Sequence, residues 1–343
     1  MSVRRIAKLA GISPSAVSLV FTNSPKISHE TKQRVLKIAK RIGYQRNAKV
    51  TELMSQVRHA SQPKNQACFG VISFYEESRP WEKSPHLARI FKGMTERADA
   101  LGYRLDPLWI RAPAMTYRRF RSMLDARGIE GLLCFGSPNF DEEFPVEFDH
   151  YAIVTQGLSI KTPLHRVVSH VYNDMWRALH RLHALGYRRP GLVISRYEET
   201  RSAHGYLSAY LGWLQLMLGT PAALPALQLD QLEEQPLLGW LAAHRPDVVI
   251  FVHEHDALAK FDALLRRNGI RMPKDLGVAA ISQSLHDTDF SGFQENQLLI
   301  GAWCVELLVS RIMNRDFGIP SHPRIEMVER TWIDGNSLRP ARG

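Results

Sequence analysis

His253-Glu254-His255 stands at the end of an apolar run, and in a strand residues two apart share a face. That is metal-ligand spacing, but a zinc site needs at least three protein groups. No Cys or third clustered ligand stands near in sequence, so no metal is expected. Phe74, Tyr75 and Trp81 follow the first strand-like run and can stack on a ring. The densest chemistry is cationic. Positions 1–60 hold 12 Lys or Arg residues and two acids, Glu30 and Glu52, while the other 283 residues carry 32 of each sign. The formal charge of +10 on this 343-residue chain therefore belongs to its first sixth. Such a segment asks for a polyanion, either nucleic acid or an anionic membrane surface. No P-loop, G-x-G-x-x-G, G-x-S-x-G or H-E-x-x-H motif accompanies it.

Three short amphipathic helices can present that charge. Ile6, Leu9 and Ala10 fall at helical spacing behind Ser2, a plausible cap, and Gly11-Ile12 ends the run. Ser13 then caps a second helix with Pro14 at its first position, burying Val17, Val20 and Phe21. Ser28 caps a third through about Arg41, with Val35, Ile38, Ala39 and Ile42 inward, and Gly43 closes it. Two helices joined by a Gly-containing turn inside a basic three-helix unit describe a helix-turn-helix. Ala7 is small where the helices cross, and Ser15, Ser18 and Leu19 face outward toward a major groove. Asn47 can cap a short helix bearing Val50, Leu53 and Met54, which is too short to be stable alone in water.

From residue 67 onward, apolar runs alternate with helical patterns. Strands are expected at 68–75, 104–110, 131–135, 151–155, 191–195, 248–252 and 278–281. Helices are expected near 87–101, 117–127, 174–185, 203–218, 234–244, 256–268 and 297–314. This rhythm predicts an α/β, doubly wound architecture. Ala100-Leu-Gly-Tyr-Arg104 and Ala184-Leu-Gly-Tyr-Arg188 each end a helix and feed a strand, which indicates two similar halves. In helix 297–314 the stripe Leu298, Ala302, Val305, Leu308, Val309 and Ile312 reads as core. No window approaches 18 uncharged apolar residues, so no membrane span is expected. The first residues lack the apolar run of a secretory signal. Cys68, Cys134 and Cys304 read as reduced thiols of a cytosolic protein.

Residues 6–18 (Ile-Ala-Lys-Leu-Ala-Gly-Ile-Ser-Pro-Ser-Ala-Val-Ser), 27–35 (Ile-Ser-His-Glu-Thr-Lys-Gln-Arg-Val) and Ile42-Gly43-Tyr44 with Asn47 resemble the N-terminus of the lactose-repressor (LacI/GalR) family of bacterial transcription regulators. The resemblance implies a helix-turn-helix headpiece (1–46) and a hinge helix with linker (47–66). It also implies a periplasmic-binding-protein-like sensor of two doubly wound subdomains, 67–165 with about 290–319 and 166–289 with about 320–343. Crossings between them are placed near 160–170, 284–292 and 317–322. The implied DNA contacts are Arg4, Arg5, Pro14, Ser15, Ala16, Ser18, Leu19, Thr22, Lys26, Ser28, Thr31 and Tyr44. Asn47, Val50 and Leu53 join them from the hinge, with Leu53 matching the leucine that wedges into the minor groove. The implied effector cleft takes Phe74, Tyr75, Trp81, Arg201, His253, His255 and Ser284. Arg201 lies about one residue from the family's anion- or hydroxyl-binding arginine, with Ser202 at the expected place. Ser284-Leu285 replaces the sugar-clamping aspartate, which puts an ordinary hexose in doubt.

The expected protein is a ligand-responsive regulator, without enzymatic activity or cofactor, acting as a homodimer on palindromic double-stranded DNA. The effector would be a small molecule, a carbohydrate or derivative among the candidates. Two rival readings are an enzyme with a fused DNA-binding head and a non-specific architectural DNA binder. Ala16 and Leu19 depart from the family's usual Thr and Arg. An arginine is the usual reader of guanine O6 and N7, whereas Leu19 offers only apolar contact, for instance to a thymine methyl. Direct readout should then be weak, with more weight on DNA shape. Leu19→Arg should create a guanine preference at one base pair of each half-site, measured by selection from random duplexes. An unchanged preferred sequence would show that this helix does not face bases.

Overall fold

The computed structural model describes residues 3–21, 27–42, 67–145, 148–218, 224–253, 257–283 and 289–340. The basic segment forms three helices, α1 (Val3–Ala10), α2 (Pro14–Phe21) and α3 (His29–Arg41). Gly11 takes φ +66° in the turn between α1 and α2, a conformation costly for other residues. The Ser13 hydroxyl accepts from the Ala16 amide at 3.1 Å, and the Ser28 hydroxyl accepts from the Thr31 amide at 3.3 Å. Glu30 in the first turn of α3 and Lys40 and Arg41 in its last complement the helix dipole. Ile6, Ala7, Ala10, Val17, Val20, Val35 and Ala39 form the small core. Leu9, expected inside, is 48% exposed; its place on the wheel lies off the face shared by Ile6, Ala7 and Ala10, and small Ala7 takes the crossing instead.

The remainder builds two six-stranded sheets. The first lobe uses β1 (Cys68–Ser73), α4 (Pro85–Ala100), β2 (Arg104–Trp109), α5 (Tyr117–Ala126), β3 (Gly131–Cys134), β4 (Ala152–Gln156) and β5 (His165–Ser169). The second uses α6 (Val171–Ala184), β6 (Pro190–Ser195), α7 (Arg196–Arg201), α8 (Gly205–Leu218), β7 (Leu227–Leu229) and α9 (Glu234–His244). It continues through β8 (Val248–Val252), α10 (Ala257–Arg267), β9 (Gly277–Gln283) and β10 (Ser291–Gln294). The chain then returns to the first lobe with α11 (Gln297–Asn314) and β11 (Ile325–Val328), and ends with β12 (Thr331–Ile333) in the second. The strand orders are β11-β5-β4-β3-β1-β2 and β12-β10-β9-β8-β6-β7. All neighbours are parallel except β10 and β12. Apolar cores cover both faces of each sheet, as parallel sheets require.

The chain passes between lobes at 169–171, 294–297 and 328–331. The expected crossings at 284–292 and 317–322 are therefore early, and the subdomain limits near 290 and 320 shift with them. β10 pairs with β9 and so keeps 291–294 in the second lobe; β11 pairs with β5 and so keeps 325–328 in the first. Helix α11 is apolar and long enough to cross a membrane, yet it packs on α4 and on β3, β4 and β5. Its buried face centres on Ile300, Cys304, Val305, Leu307 and Leu308; of the expected stripe, Val305 and Leu308 are fully buried.

The α4–α11 crossing depends on two glycines. A Cβ on Gly93 would lie 2.1 Å from the Leu298 carbonyl oxygen, and one on Gly301 would lie 2.1 Å from that of Ile90. Both obstacles are backbone, so relief requires separating the helices. Gly93→Ala should lower unfolding stability by about 1–3 kcal/mol, as overpacking does, read from the urea midpoint at constant slope.

Candidate functional site

Both sheets turn their strand C-termini toward the crossings, where parallel α/β sheets bind ligands. From the first lobe, Tyr75 follows β1 and Phe140 follows β3. From the second, Tyr197 and Arg201 sit on α7, directly after β6. The Phe140 and Tyr197 rings meet across the cleft with centroids 5.3 Å apart. Arg201 lies over the Tyr197 ring at 5.6 Å and reaches Glu198 Oε1 at 3.6 Å. Burial works against its charge, but Glu198, Tyr197, Glu295 and Tyr75 hold its pKa above the ordinary value. Burial, with Tyr197 beside it, pushes the Tyr75 hydroxyl up to about 12. Tyr75 and Arg201, predicted separately from sequence, thus meet in one electrostatic group across the lobes.

Other predicted cleft residues lie elsewhere. Phe74, just after β1, is 1% exposed and packs with Phe144 in the core on one face of the first sheet, while strand alternation turns Tyr75 to the other face. Trp81 stacks on Phe91 at 4.3 Å and on Phe135 at 5.3 Å, so its ring is committed to the first lobe's core. His253 is buried with its ring stacked on Phe251 at 5.6 Å. His255 and Ser284 lie outside the described residues. Arg201 closes α7 rather than opening a helix, and Ser202 is buried with its hydroxyl donating to the Glu199 carbonyl at 2.9 Å. Among the described residues, no group of three His, Cys, Asp or Glu side chains is placed to hold a metal.

Of the predicted DNA contacts, Arg5 and Ser28 are exposed, and Ala16, Leu19 and Thr31 are half-buried. Pro14, Ser15 and Ser18 lie on α2 and Arg4 on α1. Thr22, Lys26, Tyr44, Asn47, Val50 and Leu53 fall outside the described residues. The Ser28 and Thr31 hydroxyls stand 2.9 Å apart at the start of α3.

Behind the cleft lies a charged cluster that sequence reading missed. Arg330, between β11 and β12, donates to Glu295 Oε1 at 3.1 Å, to Asp174 Oδ2 at 3.4 Å and to the Tyr206 hydroxyl at 2.7 Å. Glu295 also accepts from the Ser169 hydroxyl at 2.6 Å and lies 3.2 Å from His86 Nδ1 at the start of α4. Ser169, Glu295 and Arg330 each mark one of the three crossings. Burial works to raise the Glu295 carboxyl, but His86, Arg330 and Ser169 hold it well below its usual value. For Asp174 burial prevails over Arg330 and raises the carboxyl. In sequence these charges look like surface residues; the one signal is a carboxylate just before the long apolar helix.

Arg330→Met removes the shared cation from two buried carboxylates, leaving Glu295 with His86 and Ser169, and should cost about 3–5 kcal/mol at neutral pH. The wild-type contribution of Glu295, whose folded pKa is depressed, is present above the unfolded value of 4.5 and lost as pH falls well below it. In the variant, protonation relieves the unpaired charge. The deficit should therefore be greatest at neutral pH and shrink under acid, measured by urea denaturation at several pH values.

Residues 2–47 match the family described as bacterial regulatory proteins, lacI family, and residues 179–338 match a periplasmic binding protein-like domain. The chain is 19% identical over 346 residues to the HTH-type transcriptional repressor PurR of Haemophilus influenzae, covering 97% of both chains. It is 24% identical over 172 residues to the HTH-type transcriptional regulator MalR of Streptococcus pneumoniae, covering 48% of each. Its fold is similar to that of the transcriptional regulator CelR in complex with cellobiose, with a TM-score of 0.58 and 19% identity over 98% of this chain and 99% of that one. It is likewise similar to the lac repressor dimer bound to operator and the anti-inducer ONPF, with a TM-score of 0.57 and 15% identity over 99% of each chain. The chain belongs to the lacI family of bacterial regulatory proteins: it is a DNA-binding transcription regulator rather than an enzyme, with a helix-turn-helix head and a periplasmic-binding-protein-like ligand-binding domain.

Proposed function

We propose that the protein is a cytoplasmic repressor that binds an approximately palindromic operator as a homodimer and is controlled by a small molecule held between its sensor lobes. The observation that carries this reading is the division of labour along the chain. The entire net charge accompanies the helix-turn-helix head, while the neutral remainder brings Tyr75, Tyr197 and Arg201 together at its strand ends. Each subunit offers α2 to a major groove, so the half-sites repeat with the two-fold of the dimer. Arg4, Arg5, Lys26 and the hydroxyls of Ser28 and Thr31 serve phosphates, Tyr44 joins the DNA contacts, and Leu53 enters the minor groove.

The effector occupies the aromatic cleft and competes with Glu198 for Arg201. A carbohydrate or a derivative fits a site of stacked rings and hydrogen-bonding groups, and cellobiose occupies the CelR complex. Effector binding shifts the angle between lobes and changes operator affinity through a coupling of about 1–3 kcal/mol.

Two measurements test this. With roughly 6–10 phosphates neutralised per dimer, operator affinity should fall with salt on a log–log slope of about −5 to −9. Deleting residues 1–60 should abolish occupancy of chromosomal sites in a genome-wide footprint while the remainder still gains melting temperature in a ligand screen. A truncated protein that keeps the same sites overturns the reading.

A further inference from the structure

One face of the first sheet reaches the cleft with polar side chains. Strand alternation continues the apolar positions Val71, Val154 and Val167 into Ser73 of β1, Gln156 of β4 and Ser169 of β5, with Tyr75 just beyond β1. Ser73 donates to the Glu77 carbonyl at 3.3 Å and accepts from the Tyr75 amide at 3.3 Å. Ser169 donates to Glu295 at 2.6 Å. Gln156 differs. It is 7% exposed, yet its carboxamide makes no hydrogen bond within the described residues. It is the last residue of β4, and its Oε1 would lie 3.8 Å from a Cβ on Gly136, in the loop that leads from β3 to Phe140 at the cleft. In the strand order β5-β4-β3-β1 it stands between Ser169, tied to the lobe junction, and Tyr75, in the electrostatic group of Arg201. An amide withheld from water without a partner is unfavourable, and folded proteins pair nearly all such groups. At the cleft end of a sheet the missing partner can come from a ligand.

We infer that Gln156 determines effector specificity: its carboxamide receives two neighbouring hydroxyls of a neutral sugar ring that lies against Tyr75. The carboxamide sets donors and an acceptor in one plane and carries no charge. Its complement is a pair of groups that donate and accept side by side, which adjacent ring hydroxyls supply. A ligand carboxylate at this point would stand one strand away from the Ser169–Glu295 pair, whose charge Arg330 already balances. The inference rests on the carbohydrate reading above and names the residue that selects among such ligands.

The probes are neutral pyranosides, sugar acids and free nucleobases, screened by thermal shift on the full chain. A neutral pyranoside should raise the melting temperature. Gln156→Met should weaken binding of that sugar about 10- to 100-fold in calorimetric titration. The same variant should leave the urea midpoint of the ligand-free chain unchanged or higher, because an apolar side chain of similar size replaces an unpaired amide. A carboxamide that held the fold together would lower it. Gln156→Leu should give the same pair of results. Removing either paired hydroxyl from the sugar should weaken binding to wild type and cost the variants nothing further. Undiminished affinity in both variants, or a lowered ligand-free midpoint in both, overturns the role of Gln156 and leaves the sugar effector standing. Stabilisation by sugar acids or nucleobases alone overturns the sugar, and a wild-type chain that no probe stabilises overturns both.

Discussion

Arg330 is the buried charge at the junction of the two lobes. It is buried with Glu295 and Asp174, and through Glu295, which also accepts from Ser169, it links residues at all three places where the chain passes between sheets. Burying three ionised groups is unfavourable unless each is paired and hydrogen-bonded. Here the guanidinium fork satisfies two carboxylates and a phenol, and Ser169 and His86 complete Glu295. The sharing is unequal, since Glu295 is held ionised with a depressed pKa while burial raises that of Asp174. We read Glu295 as the anchor of the cluster and Asp174 as its weaker member. A pivot of this kind fixes where the lobes meet without filling that point with apolar packing. Hydrogen bonds can be exchanged between discrete partners, whereas an interdigitated core resists sliding.

The cleft inherits its form from the same point. Tyr75, Tyr197 and Arg201 stand at strand C-termini because the crossings leave from those ends, so the groups that would grasp a ligand lie close to the groups that join the lobes. Glu295 contributes to the electrostatic environment of Arg201, and it accepts from Arg330 directly. A ligand that draws Arg201 from Glu198 therefore acts on a charge already coupled to the pivot. A cavity of about 480 Å³, lined by Arg266, Met272, Asp289 and Phe290, opens instead at the opposite end of the second sheet. It lies beside the start of β9 and β10, away from the lobe junction, and no crossing passes through it.

Much of this architecture was legible in the residues. Caps at Ser13 and Ser28, the glycine turn and the apolar spacing of Val17, Val20, Val35 and Ala39 specify the head, because short helices show their inner face as periodicity. The long parallel strands were visible as apolar runs. Strand β5 was not, since His165 and Arg166 interrupt its pattern although both are buried, and β7, β10, β11 and β12 are too short and too polar to form such a run. Missing β10 and β11 displaced the crossings. The aromatic candidates show a second limit: Phe74 and Tyr75 are neighbours in sequence, but the pleat buries Phe74 fully in one core and leaves Tyr75 half-buried beside the other, near Tyr197 and Arg201. The pivot was invisible for a third reason. Nothing in a single sequence distinguishes a buried, paired Glu or Arg from a solvated one, and its members lie as far apart as His86 and Arg330.

The separation of charge limits how the sensor can influence DNA. A lobe pair with no net charge gains little from a polyanion at a distance, and what it would gain is screened within about 8 Å at physiological ionic strength. In the proposed dimer its influence is then geometric, exerted through the relative placement of two cationic heads. Each head alone would bind duplex DNA by counterion release with little regard for sequence, and the departures at Ala16 and Leu19 leave α2 fewer means of reading bases. Selectivity consequently falls on spacing: two weakly discriminating heads become specific when both must meet grooves in one register. In that dimer the property for a ligand to control is the distance between the heads, and the buried polar cluster at Arg330 stands where the lobes join.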